Sequence, residues 1–215
     1  MPARDGKLFL GITFVLLAGL ANTSRGQVPV LPNSHLGHRT APILLLTRAD
    51  VRAELGLTPE LAQECNQLCE RLHRKVRSLA GRTDAAVLEA RKAIDLEQQQ
   101  WLKTHLNEKQ IERLVQIDLQ WEGPSSIYSR PIVVETLGLT TEQREALKLV
   151  VQDWQAKRRA NTSIPIDTKA YWGQVLAILS EPQREVWAEM LGKSFTPQPE
   201  AAPATAAAKD SRAKR

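Results

Sequence analysis

Cys65, Cys69 and His73 follow one another at four-residue intervals. On a helix they fall within about 80° of arc at 100° per residue, so they form one line. Thiolate and imidazole are the ligands that zinc and copper prefer, and two thiols invite redox chemistry. Three ligands on one straight helix span roughly 12 Å at 1.5 Å per residue. That is too far for one ion unless a second helix helps, and His105 is the conceivable helper. The simpler reading makes Cys65 and Cys69 small apolar core residues and His73 a boundary residue. A disulfide between Cys65 and Cys69 would require their Cβ directions to distort.

His35 and His38 form a second short pair, in a Pro- and Gly-containing stretch without a helical period. With no partner ligand nearby in sequence, this reads as part of a solvated linker. No metal or cofactor is expected. Trp101, Trp121, Trp154 and Trp187 lie on apolar faces of separate expected helices. Core packing is their default role. The sharper reading has one or two of them lining a groove for apolar segments of another chain. The chain contains no Gly-x-Ser-x-Gly elbow, Walker loop, Gly-x-Gly-x-x-Gly turn or His-Glu-x-x-His helix. Its carboxylates are spread beside Lys and Arg, as on solvated helix faces. No catalytic residue is selected, and a non-enzyme is expected.

The elements that must position these residues are helical. Leu, Ala, Glu, Gln, Arg and Lys dominate, and only three Phe and two Tyr are present. Leu137-Gly138-Leu139-Thr140-Thr141-Glu142-Gln143 reads as a joint between two helices. Gly138 can take the left-handed conformation that closes a helix. Thr140 is an N-cap, and Gln143 completes a capping box. Leu55-Gly56-Leu57-Thr58-Pro59-Glu60-Leu61 repeats the joint, with Pro59 at the first helical position. Weaker copies start at Asn107, with Gln110, and at Ser180, with Gln183.

Long helices are expected from Pro59 to about Ala80, from Thr83 or Asp84 to about Thr104, and from Asn107 to Gly123-Pro124. The plan then restarts. Pro131 to Leu137 matches Ala49 to Leu55 at a constant offset of 82 positions. Helices follow from Thr141 to about Arg158, after a loop over Asn161 to Pro165 from a cap at Asp167, and from Ser180 to Gly192. The expected fold is all-α, with two tandem repeats over residues 47–123 and 124–193. The second copy is shorter. Thr58 to Asn107 is 49 positions and Thr140 to Ser180 is 40, so its hairpin should be stubbier.

The formal charge is +5. Residues 1–26 hold a net +2 and residues 209–215 a net +3, which leaves zero for 27–208. The basic balance thus belongs to the ends, and composition gives nucleic-acid binding no support. Arg4 and Lys7 precede an apolar run from Leu8 to Ala21, the layout of a cleaved export signal over residues 1–26. No other segment could span a membrane. Residues 27–46 read as an exposed leader, and residues 194–215, rich in Ala, Pro, Lys and Arg, as a disordered tail.

Leu139-Thr140-Thr141-Glu142-Gln143 and, degenerately, Leu57-Thr58-Pro59-Glu60-Leu61 resemble the Leu-Thr-x-x-Gln signature of Spy/CpxP-like periplasmic proteins. Gln110 to Gly123, followed by the second Leu-Gly-Leu-Thr joint, also looks like a paired-repeat group of exported helical proteins, and the resemblance covers about residues 47–192. The resemblance implies an all-helical fold, a periplasmic or envelope location, and ATP-independent binding of exposed apolar segments of unfolded or partner proteins. Relatives of that broad group sense or buffer metal ions, which keeps open a metal-responsive role for Cys65, Cys69 and His73. A purely structural envelope role is a third option. Leu61 stands where the signature has Gln. Two copies in one chain leave the dimer of the Spy-like proteins in question.

Overall fold

The computed structural model describes residues 30–160 and 168–199. The fold is all-α, and no strand occurs among the described residues. A 3₁₀ turn at Asn33–His35 precedes α1 (Pro42–Leu45), α2 (Ala49–Glu54), α3 (Pro59–Ser78), α4 (Ala85–His105) and α5 (Glu108–Glu122). Then come α6 (Ser125–Ser129), α7 (Pro131–Thr136), α8 (Thr141–Ala160), α9 (Thr168–Ile178) and α10 (Glu181–Leu191). α3 pairs with α4, and α8 with α9. The export segment 1–26, the loop at 161–165 and the cap at Asp167 lie outside the described residues.

The joints form by local chemistry. Gly56 and Gly138 close α2 and α7 at φ values of 62° and 59°. That region is strained for a residue with a Cβ. The N–H of Leu57 then bonds the Arg52 carbonyl, and that of Leu139 the Val134 carbonyl. Asn107 with Gln110, and Ser180 with Gln183, form complete capping boxes. Thr140 with Gln143 does the same, at 3.1 and 3.2 Å. At Thr58 only half the box exists. Its hydroxyl accepts from Leu61 N–H at 3.3 Å, and the Leu61 side chain has nothing to return. Asp84 occupies the N-cap of α4, but its carboxylate turns to Arg82.

Two hydrophobic clusters form the core, and α5 supplies both. Leu114, Ile117 and Trp121 point into the first, with Val51, Cys65, Leu68, Leu72, Ile94 and Leu102. Leu119 points into the second, with Val133, Leu147, Val175 and Trp187. Burying one such side chain fully contributes about 1.5–3 kcal/mol. A helix apolar on two faces belongs between two layers, and α5 also packs against α10.

Two terminal expectations are corrected. Residues 31–46 are not an exposed leader. Leu31, Ala41, Ile43, Leu45 and Leu46 are buried, and Pro42 starts a helix lying on α3 and α5. A four-residue helix is too short to show a period, while its apolar content needs cover. Residues 193–199 are also held. The Phe195 side chain packs on the first cluster, and its N–H donates to Gln120 Oε1 at 2.7 Å. Gln198 N–H donates to Asp50 at 2.8 Å. Phe195 is the apolar anchor in an otherwise polar stretch, and burying it orders its neighbours.

Candidate functional site

The thiols sit where α1 crosses α3. Cys65 and Cys69 are free and buried, with Sγ 4.0 and 3.7 Å from the Ile43 carbonyl oxygen. The hydrogen bond with Cys65, and burial, push the Cys69 thiol far above its ordinary value. His73 is half-buried, and desolvation with Arg77 nearby holds its imidazole below the usual range. His105 turns elsewhere. Its Nδ1 lies 2.8 Å from the Trp101 carbonyl, its Nε2 3.5 Å from Glu64, and its ring stacks on Trp101 at 4.4 Å. The structure therefore brings the two cysteines together but gives them a carbonyl and no imidazole. The His35 and His38 rings stand 6.1 Å apart at 59°. No group of three His, Cys, Asp or Glu suited to a metal ion exists among the described residues.

The tryptophans divide into two sets. Trp121 and Trp187 are fully buried, the core role. Trp101 and Trp154 are half-buried, each on a long hairpin helix. Trp101 stacks on His105, and Trp154 lies 4.6 Å from Tyr171 at 14°. Trp172 is half-buried as well, above Gly123. Leu149 stands 66% exposed on α8, the helix that carries Trp154. Amphipathic rings with one wet edge, and an uncovered leucine elsewhere on the same helix, can take up apolar groups of another chain.

Two buried arginines are the features that sequence reasoning missed. Arg130 Nε bonds Glu122 Oε2 and its Nη1 bonds Asp118 Oδ2, both at 2.5 Å. Ser129 Oγ donates to the other Glu122 oxygen. Arg39 reaches the Ser129 carbonyl at 3.3 Å. Burial pushes the Asp118 carboxyl up, against Arg130. The two carboxylates beside Arg130 hold its guanidinium above its ordinary value. Arg48 is 5% exposed, bonds Asp50 through two nitrogens and covers the Trp121 ring at 5.0 Å. Arg48 and Arg130 are 82 positions apart, the offset of the two joints. Pro42 and Pro124 keep the same offset. Extending the alignment upstream of Ala49 was the signal that could have found them.

No family model, curated protein or solved structure matches this chain. What it can do is therefore argued from its own surfaces. Among the described residues no helix is long and apolar enough to cross a membrane.

Proposed function

We propose that this is a non-catalytic, exported helical protein of Spy/CpxP-like character, binding unfolded or partner polypeptides along amphipathic helices. The observation that carries this reading is the half-burial of Trp101 and Trp154 on the long hairpin helices of both halves, with Leu149 exposed on the outer face of α8. Side chains of this kind, left at the water boundary, offer apolar contact without a large collapse of the free protein. The Leu-Thr-x-x-Gln box at Thr140 and the absence of catalytic motifs support the same reading. The layout of residues 1–26, Arg4 and Lys7 ahead of an apolar run, supports export. The metal-responsive alternative gains no support, because the thiols face the Ile43 carbonyl inside the core.

The test is suppression of aggregation. Mature protein is added in several-fold excess to a chemically unfolded globular protein, and light scattering is followed on dilution. Suppression is expected, and Leu149→Ser should weaken it without changing the helical circular dichroism. Unchanged scattering with wild type overturns the reading.

A further inference from the structure

The zero net charge of residues 27–208 conceals a separation. Residues 74–92, the tip of the α3–α4 hairpin, hold Arg74, Lys75, Arg77, Arg82, Arg91 and Lys92 against Asp84 and Glu89, a net +4. The rest of 27–208 is then net −4. Midway along the hairpin, Glu97, just outside residues 74–92, accepts from Arg71 and Lys75 and so ties the two helices together. Asp84 takes Arg82, and Glu89 takes Lys92 at 2.8 Å. Arg74 and Arg77 are exposed and have no carboxylate partner among the described residues.

The apolar side chains of this hairpin also divide. Leu72, Leu79, Val87 and Ile94 are buried on its inner face. Leu88 and Leu96 are 59% and 65% exposed, one helical turn either side of Lys92, which is 73% exposed. The i, i+4, i+8 spacing puts all three on one outward line of α4. Arg74 lies about 160° round α3 from Leu72 at 100° per residue, away from the core. The outer side of the hairpin thus carries basic groups and uncovered leucines together.

We propose that this outer face is a docking surface for an anionic lipid bilayer. Two features choose lipid over nucleic acid. Exposed aliphatic side chains beside Lys and Arg are what a helix lying in a headgroup layer presents. Single strands, by contrast, are gripped by stacking on aromatic rings, and residues 71–96 contain no Phe, Tyr or Trp. The guanidinium groups of Arg74 and Arg77 meet lipid phosphates, while Leu88 and Leu96 enter the acyl boundary. This surface lies on a different part of the molecule from Leu149 and Trp154, and although Trp101 shares α4 with it, R74E/R77E on α3 alters none of these three residues, so the two readings are tested apart.

The test uses the full chain and sedimentation with vesicles of phosphatidylcholine alone or mixed with phosphatidylglycerol. Binding to the mixed vesicles and not to phosphatidylcholine is expected. The double variant R74E/R77E should lose roughly tenfold or more in apparent affinity at low salt. L88S/L96S should weaken binding and leave a remainder that high salt abolishes. All four positions are exposed, and unchanged circular dichroism checks the fold. Residues 1–26 and 209–215 are the same in every variant. Equal binding by R74E/R77E therefore assigns the affinity to those segments and overturns the proposal. So does tighter binding to duplex DNA than to the anionic vesicles.

Discussion

Gln143 and Gln183 grip each other by their side-chain amides: Nε2 of each donates to Oε1 of the other, at 2.7 and 3.1 Å. Each is also the third residue of a capping box, so each Oε1 already accepts from the N–H of its own cap residue. Each Nε2 further reaches a carbonyl at the end of another helix, Ile178 for Gln143 and Leu137 for Gln183. One pair of glutamines thereby joins the starts of α8 and α10 to the ends of α9 and α7. In the first half Gln110 reaches the Leu55 carbonyl at 2.9 Å in the same manner, but Leu61 stands 82 positions before Gln143 and has no amide to pair with.

Gln183→Ala removes a cap partner, a carbonyl contact and the amide pair. A loss of about 1–3 kcal/mol of unfolding free energy is expected from urea titration. Gln143→Ala should cost a similar amount. The double variant should cost less than the sum by about 0.5–1 kcal/mol, because each single change already breaks the shared pair. Strict additivity would show that the pair contributes nothing of its own.

The Gln143 and Gln183 boxes were legible because a cap is a local event spanning four residues. Gly56 and Gly138 were legible for the same reason, since only backbone conformation is at stake there. The Gln143–Gln183 pairing was not, because it joins residues 40 positions apart. Leader burial was hidden by a helix of only four residues, and the anchoring of Phe195 by polar neighbours. Cys65 and Cys69 were placed on the right face, but their contact with Ile43 depends on that same hidden helix. Asp118 and Glu122 look like solvated helix charges, and only Arg130 arriving from the next element makes them interior groups.

Arg130→Met would leave Asp118 and Glu122 buried without their cation. A loss of about 3–5 kcal/mol is expected. Asp118→Asn tests the opposite side of the cluster. Burial raises the folded-state pKa of Asp118 above its unfolded value, against Arg130 and with Glu122 adding to the rise. Its contribution to stability is therefore fully present below about pH 4, the ordinary aspartate value, and is lost as pH rises through the raised one. Urea titrations of both proteins from pH 3 to 8 should show wild type losing ground to Asp118→Asn as pH rises. A difference that moves the other way would mean that Arg130 outweighs desolvation.

The thiols offer a direct probe of α1. With Cys65 and Cys69 under Ile43, a thiol-specific aromatic disulfide reagent should label neither in the native protein within minutes. Both should react promptly in denaturant. Saturating zinc should leave native labelling and the thermal midpoint unchanged, because no ligand set of three surrounds them among the described residues. Protection or stabilisation by zinc would restore the metal reading.

Arg48 ties together both ends of the described chain. Its Nη1 donates to the Leu31 carbonyl at 2.9 Å and its Nη2 to the Gln198 carbonyl at 3.1 Å. Its Nε and Nη2 hold Asp50, which in turn accepts from the Gln198 N–H. One planar, permanently charged fork serves three acceptors at once, a geometry that an ammonium group cannot copy. Arg48→Lys should therefore behave almost as Arg48→Ala. In both, residues 30–33 and 193–199 should lose hydrogen-exchange protection and become open to proteolysis. The cost should be about 2–4 kcal/mol, since the partly buried Asp50 carboxylate and the Leu31 carbonyl lose the guanidinium, and the Gln198 carbonyl keeps only Asn33 Nδ2. Phe195→Ala should free only the C-terminal stretch and leave Leu31 protected by Arg48 and by Thr47, whose hydroxyl accepts from the Leu31 N–H at 3.2 Å. Equal loss of protection at both ends in Phe195→Ala would show that packing of Phe195, and not the Arg48 fork, holds the two together.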